Sequence, residues 1–346
     1  MSHLEVSTLP AIDLRDFDAG PARRAEFLDQ LRRAARNEGF FYLTGHELPE
    51  ALTGQVLNLG RRFFDLPEAE KLAIENVRSA QFRGYTRIGH ELTRGLTDWR
   101  EQLDIGAERP APVLPPDAPA WLRLNGPNLW PAAIPEFRPT LLEFESRLTA
   151  LALRLLGAFA VALEQAQDVF DPVLGDLPTV LIKLIRYPGR EVASSEQGVG
   201  PHKDTGFLTF VLQDVQSGLE VANGEEWIKA PPLPGTLVVN IGEMLELATN
   251  GYLRANVHRV VSPAAGTDRL SVAYFLNPRL DATVPLLTLA PPLAAEARGP
   301  ASDPDNPLFQ QVGENILKSQ LRSHVEVARR HYPELVKAGT QPGSAY

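Results

Sequence analysis

Arg269-Leu-Ser-Val-Ala-Tyr-Phe-Leu-Asn277 alternates with a period of two. Arg269, Ser271, Ala273 and Phe275 share one face of a strand, and Leu270, Val272, Tyr274 and Leu276 share the other. The second face is a core face. The first carries an arginine toward an interior, which is costly unless an anion meets it. A guanidinium fork with a hydroxyl two residues on matches the oxygens of a carboxylate. A structural ion pair to a core acid is the alternative.

Working outward, the same short period recurs at Thr179–Tyr187, Gly206–Gln213, Leu219–Ala222, Thr236–Ile241 and Val257–Val261. These segments are short, rich in β-branched residues and broken by Gly, Pro and Asn. That pattern predicts a barrel or sandwich, not βαβ units. Upstream the period is helical. Leu141, Phe144, Leu148, Leu151 and Leu155 step by three and four, predicting a long helix over 137–166. Earlier helices are expected at 21–37, 50–64 and 67–76, with a strand at Phe40–Thr44. Residues 82–106 show no period. Five prolines between Pro110 and Pro119 mark an extended connection, and a last helix is expected at 308–330 after a Pro-rich stretch at 291–307. There is no internal repeat.

The composition of the 346 residues, 44% hydrophobic and 22% charged, is that of a globular protein. A net charge of -9 argues against a nucleic-acid partner. The absence of cysteine excludes disulfides, thiolate metal sites and cysteine nucleophiles. The N-terminus lacks a signal-peptide layout, and no apolar run reaches the roughly 20 residues of a membrane span. The expectation is a soluble cytoplasmic protein with no membrane partner; the sequence does not indicate an oligomeric state.

Any metal must therefore be held by histidines and carboxylates. In Gly200-Pro-His-Lys-Asp-Thr-Gly206, His202 and Asp204 stand two apart beside a strand, where side chains roughly 6.6 Å apart share a face. His258, inside Asn256-Val-His-Arg-Val260, offers a third ligand. Two histidines and one carboxylate leave half of an octahedral shell open, the arrangement of Fe(II) sites that bind O2 and a co-substrate on the metal. His3-Leu-Glu5 and His324-Val-Glu326 repeat the His-x-acid spacing. The first lies in a terminal segment and the second on an expected helix, where positions i and i+2 diverge. A surface His and Asp at a strand edge is the alternative reading of the main pair. His46 reads as a turn residue, and Trp227, Phe207 and Phe210 as barrel core. The dinucleotide fingerprint, the Walker loop and the Gly-x-Ser-x-Gly elbow are all absent.

The order His-x-Asp, His, Arg-x-Ser resembles the isopenicillin N synthase-like group of non-haem Fe(II), 2-oxoglutarate-dependent oxygenases. Further likeness lies in Pro10-Ala-Ile-Asp-Leu14, Asn37-Glu-Gly-Phe-Phe41, Gly45-His46 and Phe63-Phe-Asp-Leu-Pro67. The resemblance implies a mixed α/β (α+β) protein with a double-stranded β-helix (jelly roll) core wrapped by helices. It implies His202, Asp204 and His258 as the catalytic iron triad. Arg269 and Ser271 would hold 2-oxoglutarate, assisted by Tyr187 in Leu184-Ile-Arg-Tyr-Pro188; Ile185 stands where many plant members have Asn. The expected units are a family N-terminal region at 1–120, a helical connection at 121–175, the jelly-roll core at 176–285, and a C-terminal lid and helix at 286–346.

The expected enzyme is a dioxygenase that uses Fe(II), 2-oxoglutarate and O2 and most often hydroxylates a small molecule, releasing succinate and CO2. Two rivals stand. One is an oxidase or cyclase of the same fold that uses O2 without 2-oxoglutarate, its Arg-x-Ser pair holding the substrate's own carboxylate. The other is a non-catalytic jelly-roll binding protein. The pocket roof is expected from 82–106, with Arg83, Tyr85, Arg87 and Arg94, and from 291–307. These arginines either meet an anionic substrate or are merely solvated.

Overall fold

The computed structural model describes residues 8–191, 197–301, 303 and 306–336. His3 and Glu5 lie outside them. In chain order come β1 (Ala11–Asp13), α1 (Pro21–Asn37), β2 (Phe40–Thr44), α2 (Glu50–Phe64) and α3 (Glu68–Leu72). Next are β3 (Gly84–Thr86), β4 (Leu92–Thr93), β5 (Leu96–Thr97) and β6 (Glu101–Gly106). The long α4 (Phe137–Ala162) and the short α5 (Asp171–Leu174) lead to β7 (Thr179–Tyr187), β8 (Gln197–His202), β9 (Leu208–Gln213), β10 (Leu219–Asn223), β11 (Glu226–Lys229) and β12 (Leu237–Ile241). The chain then forms α6 (Glu243–Ala248), β13 (His258–Val261), β14 (Arg269–Asn277), α7 (Pro291–Ala294), α8 (Val312–Ser323) and α9 (Val325–His331).

An eight-stranded sheet runs β1-β2-β12-β9-β14-β7-β6-β3, and a four-stranded sheet runs β11-β10-β13-β8. Among the paired strands described, β1 and β2 alone run parallel, with isolated parallel bridges at Glu75–Tyr85 and Arg190–Ala264. Two antiparallel sheets around a shared interior make a jelly roll. The alternation in β14 decides which way each side chain points. Leu270, Val272, Tyr274 and Leu276 join the large core formed with α1, α2 and α4, while Ala273 joins the core between the sheets. Gly39, at φ +68, ends α1 and packs against the Arg254 carbonyl; a Cβ there would stand 2.2 Å from that oxygen.

Several sequence expectations are corrected here. Residues 82–106 are not aperiodic loop: they form four strands, two of which extend the large sheet. All six residues of β6 are buried, so no polar/apolar alternation marks it. Of its polar side chains, Glu101 is fully engaged, while Gln102 Oε1 and Asp104 Oδ1 are buried without a hydrogen-bond partner. Glu101, 1% exposed, accepts hydrogen bonds from Lys71 Nζ (3.0 Å), Tyr85 OH (2.6 Å) and Arg186 Nε (2.7 Å). Glu101→Ala would leave the buried Lys71 without a carboxylate, although Arg186 keeps Asp65, and we expect it to lower unfolding free energy by about 3–5 kcal/mol. A denaturant midpoint shift equivalent to under about 1 kcal/mol, the range of a surface pair, would contradict that.

The strands β8 and β11 went unread. In β8 the sequence Gln-Gly-Val-Gly-Pro-His reads as loop, yet it forms an edge strand with irregular register, where Gly and Pro are tolerated. Helix α3 is shorter than 67–76 because a separate turn begins at Asn76. Trp227 is not core: it lies half-buried on β11 with the Arg259 guanidinium 4.0 Å from its ring. The C-terminal helix is two helices that meet at His324. His324 therefore sits at a break between helices, not within one. It is buried, with Nε2 3.6 Å from Asp104 and 3.9 Å from Glu91.

Candidate active site

The cavity between the sheets holds about 330 Å3. The strands β7 and β14 form its floor, with Lys183, Ile185, Tyr187, Arg269, Ser271 and Phe275 facing in. Hairpin β4–β5 and helix α8 contribute to its cover. Arg83 and Arg94 line it, but Tyr85 and Arg87 do not: they turn away to Glu101 and Glu75. Ala301, Asp303 and Asn306 line it from the Pro-rich side.

The structure brings His202, Asp204 and His258 together. His202 and His258 are directly opposed across β8 and β13, with ring centroids 4.2 Å apart. Asp204 does not share the strand, as the spacing had suggested; it lies just past the end of β8. Its backbone carbonyl accepts from Glu243 N (2.7 Å) at the start of α6. Its Oδ1 lies 3.6 Å from His202 Nε2 and 3.7 Å from His258 Nε2. One ligand atom from each residue falls within 4.8 Å of the others.

The outer contacts decide which atoms face the shared space. His202 Nδ1 lies 2.9 Å from the Gly200 carbonyl and His258 Nδ1 lies 3.3 Å from the Asn256 carbonyl, leaving both Nε2 atoms to the centre. Asp204 Oδ2 accepts from Thr209 Oγ1 (2.6 Å) and Asn240 Nδ2 (2.7 Å), leaving Oδ1 to the centre. Burial opposes the Asp204 charge, but His258 and His202 beside it hold its pKa well below the usual range. Burial, reinforced by His202, pushes His258 down to about 4. At His202 burial is outweighed by Asp204, which raises its pKa, so a bound metal would displace a proton there, while His258 and Asp204 already hold the neutral and ionised states a metal ligand needs. This donor set, two imidazoles and one carboxylate with one face open to the cavity, fits Fe(II).

Arg269 is 1% exposed and its Nε has no partner. Its Nη1 donates to Ser271 Oγ (3.2 Å) and its Nη2 to Gln213 Oε1 (2.9 Å), and the guanidinium lies 5.0 Å from the Tyr187 ring centroid. Among the described residues no carboxylate lies within 4 Å of it, so the core ion pair weighed from the sequence is absent. A buried guanidinium without a counterion, beside a hydroxyl, fits the distal carboxylate of 2-oxoglutarate.

Sequence reasoning missed Thr209, Asn240 and Gln213. Each is a polar residue in an otherwise apolar strand, and Thr209 and Asn240 are register partners across β9 and β12. It also missed a buried charge cluster at the cavity wall. There Glu91 pairs with Arg100 (2.9 Å) and Lys183 (3.1 Å), and Asp98 with Arg100 (3.1 Å).

The fold and site define an oxygenase class, and comparison with known proteins agrees. Residues 9–133 match the family described as "non-haem dioxygenase in morphine synthesis N-terminal", and residues 178–278 match the 2OG-Fe(II) oxygenase superfamily. A 2-oxoglutarate-dependent dioxygenase of Dothideomycetidae sp. (strain 11243) is 34% identical, over 96% of this chain and 95% of that one. A homoarginine-6-hydroxylase of Arabidopsis thaliana is 36% identical, over 75% and 79%. Among solved structures, a Neurospora crassa protein in complex with alpha-KG and 5-formyluracil is 25% identical with a TM-score of 0.74, over 92% of this chain and 97% of that one. JOX2 in complex with 2OG, Fe and JA is 26% identical with a TM-score of 0.67, over 82% and 78%. The chain belongs to the 2OG-Fe(II) oxygenase superfamily: it is a 2-oxoglutarate-dependent dioxygenase whose cofactors are Fe(II) and 2-oxoglutarate. No helix among the described residues is long and apolar enough to cross a membrane.

Proposed function

We propose that this protein hydroxylates a small, anionic organic substrate, with His202 Nε2, Asp204 Oδ1 and His258 Nε2 as the iron ligands. The observation that carries this is the convergence of those three atoms within 4.8 Å while their other polar atoms are tied to protein partners. Arg269 and Ser271, with Tyr187 at their side, hold the distal carboxylate of 2-oxoglutarate. Bound Fe(II) supplies the activation of O2 that couples decarboxylation of 2-oxoglutarate to oxidation of the substrate. One oxygen atom goes to succinate, the other to the hydroxyl group, and CO2 leaves.

The protein's own residues do the rest. The backbone carbonyls of Gly200 and Asn256 orient the imidazoles. Thr209 and Asn240 fix the Asp204 carboxylate so that one oxygen faces the cavity. The jelly roll acts as the catalytic core, and Ala301, Asp303, Asn306 and helix α8 act as its cover. Hydroxylation is supported by relatives named as hydroxylases. An anionic substrate is supported by the lining, where six cationic side chains face four acidic ones.

Thr209→Val removes a hydrogen bond to a liganding carboxylate. Fe(II) affinity should fall about 10–100-fold with the fold retained; unchanged affinity would show that Asn240 alone suffices. The function itself is tested by screening small organic acids for stimulated succinate formation with Fe(II), O2 and 2-oxoglutarate. A product carrying one added oxygen per succinate supports the reading. Substrate oxidised with no succinate released would overturn it in favour of the oxidase.

A further inference from the structure

Arg83 lines the cavity, is 8% exposed, and makes no side-chain hydrogen bond or ion pair among the described residues; its Nε is buried without a partner. The other well-buried cations of the cavity differ. Arg100 is paired with Glu91 and Asp98, and Lys183 with Glu91 and Asp104. Arg269 also lacks a carboxylate partner among the described residues, but it bonds Ser271 and Gln213, and it faces the co-substrate. Asp104 and Glu145 are near enough to act on the Arg83 charge, but neither reaches ion-pair distance. Asp104 is already engaged by Lys183 and His324, and burial pushes Glu145 up to about 7, so it offers less than a full charge at neutral pH. Burial likewise draws Arg83 down to about 10, the direction expected of a cation without a counterion.

Its position separates it from the 2-oxoglutarate end. The Arg269 guanidinium bonds Ser271 and Gln213, whose row across the sheet continues through Ile185 to Gln102. The Arg83 guanidinium sits over Gly106, where an added Cβ would fall 2.1 Å from Cζ; Gly106 pairs with Leu181. Leu181 is four residues from Ile185, about 13 Å along β7, and β6 is two strands from β14. One 2-oxoglutarate cannot serve both ends. The row of Leu181 and Gly106 also contains Phe275 and Thr209, and Thr209 bonds Asp204. The Gly106 position under Arg83 therefore lies three strands, roughly 14 Å, from the Thr209 position beside Asp204. Leu181, Leu124 and Ile316 line the wall beside this span.

We infer that Arg83 anchors the substrate through a carboxylate, so that the enzyme acts on small organic acids whose reacting carbon lies several bonds from that group. A guanidinium fork binds a carboxylate bidentately, and among the described buried cations of the cavity Arg83 alone has no side-chain partner, so it balances one negative charge, not the two of a phosphate monoester. The apolar wall suits a hydrocarbon body between the carboxylate and the reacting carbon. This inference rests on the site reading above.

The test uses Fe(II)- and 2-oxoglutarate-loaded protein without oxygen, titrated calorimetrically with benzoate, phenylacetate and hexanoate, each beside its primary amide. Wild type should bind at least one acid roughly 10–100-fold tighter than its amide. Arg83→Gln, and Gly106→Ala, which takes the space of the fork, should bring that ratio close to one. Arg83→Gln should also melt no lower than wild type, because an unpartnered buried charge is being removed. The inference is overturned if no acid binds, if acids and amides bind alike in wild type, or if the preference survives Arg83→Gln. A melting point several degrees lower, marking a structural guanidinium, overturns it as well. Weakened 2-oxoglutarate binding in Arg83→Gln would overturn it too, since the group would then serve the co-substrate. Wild-type 2-oxoglutarate binding is read separately, so this inference and the site reading fail independently.

Discussion

His202→Ala should abolish turnover and weaken Fe(II) binding well beyond the 10–100-fold that loss of a hydrogen bond to a ligand costs. The reason is geometric. With His202 gone, Asp204 Oδ1 and His258 Nε2 remain 3.7 Å apart, two donors on one side of the ion with nothing to close the chelate. The fold should persist, because His202 lies at the open end of edge strand β8 and is only partly buried. Equilibrium dialysis with Fe(II), alongside thermal melting of the metal-free proteins, separates the two effects. Retention of wild-type affinity in a folded His202→Ala protein would refute the ligand assignment.

Arg269→Lys has the second largest expected effect, and it is selective. Lysine keeps the charge but lacks the fork that now spans Ser271 and Gln213. Losing one charge-assisted hydrogen bond to a buried carboxylate costs about 1.5–3 kcal/mol, so the 2-oxoglutarate requirement should rise roughly 10–150-fold. Iron binding should not change, because the guanidinium touches none of the three ligands. Ser271→Ala should cost less, since Arg269 and Tyr187 remain. If Arg269→Lys binds 2-oxoglutarate as tightly as wild type, the anchor lies elsewhere. Lys183 would be the next residue to test, although its pairing with Glu91 makes it a poorer host for an anion.

The core strands were legible because they alternate. The strand β14 has one face in the hydrophobic core and one face, with Arg269 and Ser271, lining the cavity, and its alternation states both. Alternation also marks β7, apart from Arg186, and a helical period marks the leucine stripe of α4. The strand β6 was illegible for the opposite reason. It is buried on both faces, and the partners of Glu101 and Asp104, Arg186, Lys183 and His324, come from distant segments that no local pattern can reveal. The strand β8 was hidden by its glycines and proline, which an irregular edge tolerates. The break at His324 depends on a charge cluster assembled from three separate segments.

In the site, residue types and order were readable, but the support was not. His202, Asp204, His258, Arg269 and Ser271 announce themselves by spacing. Thr209, Asn240 and Gln213 become meaningful only once register sets them beside Asp204 and Arg269. Arg83 was visible as one of several loop arginines. What sets it apart, the lack of a partner in a buried position, is a property of the folded chain alone.

The central claim is that one face of the Fe(II) site and the Arg269 pocket together receive 2-oxoglutarate. It is tested most directly by anaerobic titration of the Fe(II)-loaded protein with 2-oxoglutarate, followed by the visible absorption of a 2-oxo acid chelated to Fe(II). The account predicts a saturable band at one 2-oxoglutarate per iron, absent without iron, absent in His202→Ala, and shifted to higher 2-oxoglutarate concentration in Arg269→Lys. A wild-type protein that binds Fe(II) but gives no band, yet consumes O2 with a carboxylate-bearing substrate and releases no succinate, would contradict it.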